Sequence, residues 1–70
     1  MATEKDKLLG KRIQKLRKEA GLRQEDLAEK TRLTAKYIQF IESANRVPSL
    51  KTLYRIATAL NVKVFELFPF

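Results

Sequence analysis

Apolar residues recur at helical spacing almost from the start of the chain. Leu9, Ile13, Leu16 and Ala20 fall at i, i+4, i+7 and i+11 and predict one buried stripe, with Lys7, Lys11, Arg12, Lys15 and Lys18 mostly off it. Gly21 is expected to end that helix, because glycine enters the left-handed region without a side-chain clash. A second, short helix is predicted from about Gln24 to Thr31. Glu25 and Asp26 occupy its first turn, where the helix dipole favours carboxylates, and Leu27 and Ala28 point inward. Thr34 then offers a side-chain oxygen to cap a third helix, Ala35 to Ser43. Leu33, Ile38 and Ile41 supply its buried side, and Ala35, Lys36, Gln39 and Ser43 point elsewhere. After a polar loop over 44–48, Ser49 caps a fourth helix, Leu50 to Leu60, with Leu50, Leu53, Ile56, Ala57 and Leu60 as its stripe. Asn61, which tolerates the left-handed region, ends it. A fifth short helix, about Lys63 to Phe68, carries Val64, Phe65, Leu67 and Phe68. Five helices and no strand pattern predict an all-α domain.

Length and composition restrict what such a domain can do. Seventy residues, 44% hydrophobic and 33% charged, are expected to form one domain over 1–70 with its core across 9–68. A chain this short buries only about 60% of its unfolded surface, too little to enclose a deep catalytic cleft. It has no cysteine and no histidine, which excludes disulfides, the common zinc sites and catalysis by imidazole or thiolate. Glu25, Asp26 and Glu29 read as helix-start and solvent-facing carboxylates, and Ser43 and Ser49 lack a histidine to activate them. An enzyme is therefore not expected, nor a metal or cofactor. No apolar run approaches about 18 residues, and the first residues lack a signal-peptide hydrophobic stretch, so a soluble, cytoplasmic chain is expected. The sequence ends at Phe70, and no ligand-binding or catalytic domain is expected to follow.

Charge changes the picture. Fifteen Lys and Arg against eight Asp and Glu give +7, and residues 1–18 alone hold seven basic and two acidic side chains. Such a chain attracts polyanions, meaning nucleic acid or an anionic membrane surface. The second and third helices, joined by a turn of three or four residues, match helix-turn-helix geometry, in which the second helix can enter the major groove. That turn must bring residue 28 close to residue 38, and Ala28 with Ile38 gives the small and branched pair it requires.

The stretch Gln24-Glu25-Asp26-Leu27-Ala28-Glu29-Lys30-Thr31, then Leu33-Thr34, Tyr37-Ile38 and Ile41-Glu42, resembles the phage Cro/repressor-like helix-turn-helix regulators, the XRE family. The likeness extends to Ile13-Gln14-Lys15-Leu16-Arg17, Pro48-Ser49-Leu50, Thr52-Leu53, Ala57, Ala59-Leu60-Asn61-Val62 and Glu66-Leu67-Phe68, roughly residues 9–68. It implies a compact five-helix fold of the lambda-repressor-like type and a transcriptional regulator of double-stranded DNA. By that resemblance Gln24 bonds a phosphate, and Thr34, Ala35, Lys36, Gln39 and Phe40 form the groove-facing surface. Lys36 suits guanine O6 and N7, Gln39 suits adenine N6 and N7, and Ala35 offers a methyl contact to thymine. Thr34 serves chiefly as a cap. Phe40 has two readings, a thymine or sugar contact or packing against the fourth helix. Tyr37 covers the core or gives its hydroxyl to a phosphate, and the two are compatible. Asn45 and Arg46 lie in the loop where relatives grip phosphate with side chains and backbone N–H groups. Arg17 and Glu42 match an internal salt bridge, with a phosphate contact as a second role for Arg17.

Three positions depart from the family pattern. Arg32 and Ala44 stand where glycine is usual, and Arg23 replaces a Ser or Thr cap worth about 1 kcal/mol. One recognition helix reads too few base pairs for specificity, so a homodimer is expected. Three phenylalanines in the last seven residues make Val64, Phe65, Leu67, Phe68 and Phe70 the candidate dimer surface, against the alternative that the rings complete the monomer's core. Within DNA binding, a free-standing regulator, an antitoxin with a toxin partner and a restriction–modification controller all share this size. A basic module for a membrane surface or protein, built on residues 5–18, is the rival outside DNA binding.

Overall fold

The computed structural model describes residues 2–70. Met1 lies outside the described residues. Among the described residues four α-helices form where the apolar spacing placed them: α1 (Glu4–Glu19), α2 (Gln24–Thr31), α3 (Ala35–Glu42) and α4 (Leu50–Leu60). Among the described residues there is no strand. The expected fifth helix is instead one turn of 3-10 helix, Val64–Leu67. Phe68 is extended at φ −99°, ψ 115°, as a residue before proline prefers, so Pro69 closes the turn before an α-helical ladder can begin.

Each α-helix starts on an extended residue. Thr3, Thr34 and Ser49 cap through their hydroxyls, whereas Arg23 gives no side-chain cap and its own N–H is accepted by Asp26 at 2.8 Å. All four helices also end alike. The N–H groups of Leu22, Leu33, Asn45 and Val62 reach back five residues to the carbonyls of Arg17, Ala28, Phe40 and Ala57. The residue before each is left-handed: Gly21, Arg32, Ala44 and Asn61 at φ 74°, 60°, 63° and 57°. Arg32 and Ala44 thus adopt the conformation of the glycine usual there, each at a cost of roughly 1–2 kcal/mol.

One core gathers the stripes: Ile13 of α1, Leu27 of α2, Ile38 and Ile41 of α3, Ile56 of α4 and Leu67 are fully buried. Ala28 and Ile38, the expected turn pair, lie in the same cluster. Two stripe assignments fail. Ala20 is exposed because α1 ends before it, and Leu50, the first residue of α4, is 56% exposed. Arg12 Nε donates to the Glu66 carbonyl at 2.9 Å and ties α1 to the last turn. No described helix is long and apolar enough to cross a membrane.

Candidate nucleic-acid interface

Three residues, Arg32 to Thr34, separate α2 from α3. Thr34 Oγ1 accepts the Tyr37 N–H at 3.0 Å, so the cap expected of it is made and fixes the start of α3. From there the helix divides cleanly. Ile38, Ile41 and Glu42 are buried, while Ala35, Lys36 and Gln39 are exposed. An α-helix with its side chains is about 10–12 Å across, which a major groove about 12 Å wide admits.

Lys36 Nζ sits 5.7 Å above the Phe40 ring. Phe40 is half-buried and is not among the side chains packed on the core, so it lies on the outer surface beneath Lys36. Tyr37 is half-buried and does pack there. Thr34, Lys36, Tyr37, Phe40 and Arg46 line one shallow depression of about 240 Å³, which joins the loop after α3 to the helix surface.

That loop is held from within. The N–H groups of Asn45 and Arg46 both donate to the Phe40 carbonyl, at 2.8 and 3.2 Å, and Asn45 Nδ2 donates to Ser43 Oγ at 2.9 Å. The backbone donors expected for phosphate at these two residues are therefore already used, which leaves their exposed side chains to meet a ligand.

Behind α3 lies a polar clasp. Arg17 donates from Nε to Glu42 Oε2 at 2.6 Å and from Nη2 to Glu42 Oε1 at 3.0 Å, and its Nη1 donates to the Leu22 carbonyl at 2.8 Å. The two side chains are 7% and 2% exposed. Of the two roles expected of Arg17, the geometry bears out the internal pair. A phosphate contact is left almost no surface, because this guanidinium is turned inward. Glu42 Oε1 also accepts Gln24 Nε2 at 3.2 Å, so the clasp orients the side chain at the start of α2. Gln24 stays half-buried, with its amide oxygen outside this bond.

Sequence reasoning missed why the clasp can form. Gly10 packs directly on the end of α3, where a Cβ would lie 2.6 Å from the Ile41 carbonyl oxygen and 2.7 Å from that of Glu42. A glycine inside an otherwise strong helical pattern was the available signal. At the other end of the chain, Leu67 is fully buried, Val64 and Phe68 pack on the core, and Phe65 and Phe70 are 66% and 57% exposed. The expected dimer surface is thus divided between core and solvent. Leu50 and Tyr54, one turn apart on α4, are also exposed, at 56% and 53%.

Comparison with known proteins agrees with this geometry. The helix-turn-helix family model matches residues 13–67. An uncharacterised HTH-type transcriptional regulator of Sinorhizobium fredii, y4dJ, is 38% identical over 61 residues, 87% of this chain and 79% of that protein. The crystal structure of the restriction-modification controller protein C.AhdI from Aeromonas hydrophila is similar at TM-score 0.87 and 37% identity, covering 89% of this chain and 94% of that one. SinR, a master regulator for biofilm formation crystallised in complex with DNA, is similar at TM-score 0.79 and 35% identity, covering 84% and 95%.

Proposed function

The chain belongs to the helix-turn-helix family, and from that premise we propose that it is a sequence-specific, double-stranded-DNA-binding transcriptional regulator. It reads a pseudo-palindromic operator as a homodimer, acts in the cytoplasm by occupying DNA rather than by catalysis, and folds as one lambda-repressor-like domain. The observation that carries this reading is the uncovered outer edge of α3: Ala35, Lys36 and Gln39 face solvent on a helix whose other side is locked in the core.

In this reading α3 lies in the major groove. Lys36 donates to a guanine, Gln39 pairs with an adenine, and Ala35 and Phe40 meet thymine methyl groups or sugar. Gln24, steadied by Glu42, reaches a phosphate with its free amide atoms, as do Asn45 and Arg46 with their side chains and Tyr37 with its hydroxyl. Arg17 takes no part beyond holding Glu42. Phe65 and Phe70 provide the apolar area for pairing two copies, and Val64 and Phe68 support that surface from beneath.

A narrower role as a restriction–modification controller is favoured by the near end-to-end match to C.AhdI, 89% of this chain and 94% of that one. Selection of bound duplexes from a random pool, alongside a measurement of mass in solution, tests the main reading. The expected result is two inverted half-sites about 34 Å apart and a mass of twice 8.1 kDa. No enrichment of any duplex at low ionic strength would overturn it.

A further inference from the structure

Away from the recognition surface, four cations converge on a groove between the end of α2 and the outer side of α4. The groove is open, about 510 Å³ in volume, and its lining includes Lys30, Arg32, Lys51, Tyr54, Arg55 and Thr58, all exposed. No carboxylate lines it, and neither ion pair among the described residues engages any of the four cations. It shares no residue with the depression on α3. Arg32 stands at φ 60°, a conformation that disfavours every side chain bearing a Cβ, and yet an arginine occupies it. Arg32 thus places a guanidinium at the groove where a glycine would place none.

We propose that this groove is a ligand site for an organic polyphosphate of the nucleoside di- or triphosphate class. Lys51 and Arg55, one turn apart on α4, line it from one element, and Lys30 and Arg32 line it from the end of α2, so phosphates bound there meet cations from both. A terminal phosphate carries about −1.5 to −2 charges at pH 7, so four cations match a di- or triphosphate rather than a single phosphate. Tyr54 offers an exposed ring for a base to stack on, and the Thr58 hydroxyl can bond sugar or phosphate. The volume falls within the about 300–1,000 Å³ typical of small-molecule sites.

The experiment titrates the isotope-labelled chain with ATP, inorganic triphosphate and adenosine while following backbone amide shifts, and repeats the series on Arg32→Gly. ATP is expected to move the amides of Arg32, Tyr54 and Thr58 saturably, triphosphate to bind more weakly, and adenosine not to bind. Arg32→Gly relieves the strain and is expected to melt higher than the parent while losing roughly tenfold in ATP affinity, which separates lost binding from lost fold. Unchanged affinity in Arg32→Gly, shifts centred on Lys36 and Arg46 or spread along the lysines of α1, or no saturable shift with ATP would overturn the site. Equal affinity for triphosphate and ATP would overturn the role of Tyr54.

Discussion

On the inner side of α3, Ile38 and Ile41 are buried, Glu42 is clasped by Arg17 and Gln24, and Gly10 brings the α1 backbone against the helix end. On the outer side, Ala35, Lys36 and Gln39 face solvent, and Lys36 Nζ lies over the Phe40 ring. The first side fixes where the helix sits, and the second supplies what it offers to a ligand. Because the two share no side chain, stability and recognition should respond to different substitutions, and each comparison below sets one side against the other.

Glu42→Ala attacks the inner side and should have the largest effect. It leaves the Arg17 guanidinium buried without its counter-charge, with only the Leu22 carbonyl still accepting from it, which costs about 3–5 kcal/mol. A domain of this size is stable by only about 5–15 kcal/mol, so the melting temperature should fall by about 12 °C or more. Urea unfolding checks this. A loss below about 1 kcal/mol would mean that the clasp does not set the position of α3.

Lys36→Ala reverses the test. Melting should stay within about 0.5 kcal/mol of the parent, while discrimination at one or two operator positions falls by about 1–3 kcal/mol. Arg46→Ala should instead weaken every duplex similarly and reduce the slope of log affinity against log salt by about one unit. Binding isotherms on matched and mismatched duplexes at several salt concentrations separate the two. If Arg46→Ala changed base preference and Lys36→Ala did not, the outer side would be misassigned.

Gly10→Ala probes the seam from the α1 side. Alanine favours the helix by about 1 kcal/mol, but its methyl would stand 2.6 Å from a backbone oxygen that cannot rotate away. Overpacking of this kind costs about 1–3 kcal/mol, so a net loss of about 0–2 kcal/mol is expected. A gain in stability would show that α1 and α3 can part freely. If α3 tilts in response, operator affinity should fall with stability, which Lys36→Ala does not do.

Gly10 also marks how far the sequence could be read. Helix positions were legible because apolar residues such as Leu9, Ile13 and Leu16 of α1, or Leu53, Ile56, Ala57 and Leu60 of α4, recur at a period set by backbone geometry alone. The groove-facing surface of α3 was legible for the same reason, since what the stripe leaves out must face solvent. Close approach between helices distant in sequence follows from no local pattern, so Gly10 and the Arg12–Glu66 bond passed unread. Periodicity likewise gave no means of telling Phe65, which turns outward, from Leu67, which is fully buried. A four-residue 3-10 turn has too few positions to show a period. Nor did the residue types of Asn45 and Arg46 reveal that the Phe40 carbonyl had already taken their N–H groups.

The exposed pair at the start of α2 gives the smallest expected effect and the sharpest contrast with the clasp. Arg23 meets Asp26 at 3.2 Å across a turn open to solvent, where Arg17 and Glu42 meet at 2.6 Å in the core. Hydrogen bonds from the Arg23 side chain and backbone hold the Asp26 carboxyl below its ordinary range. A carboxyl depressed on folding stabilises the native state above its unfolded pKa, and the contribution is lost as pH falls through the lower folded value. Asp26→Asn removes the charge and keeps an acceptor. The variant should therefore melt slightly below the parent at neutral pH and converge with it under strong acid, with the gap narrowing in high salt. Melting curves from pH 7 to pH 2 decide the matter: a gap that widened on acidification would reverse the sign argued here. A gap as large as that of Glu42→Ala would erase the distinction between a charge pair that positions a helix and one that decorates its end.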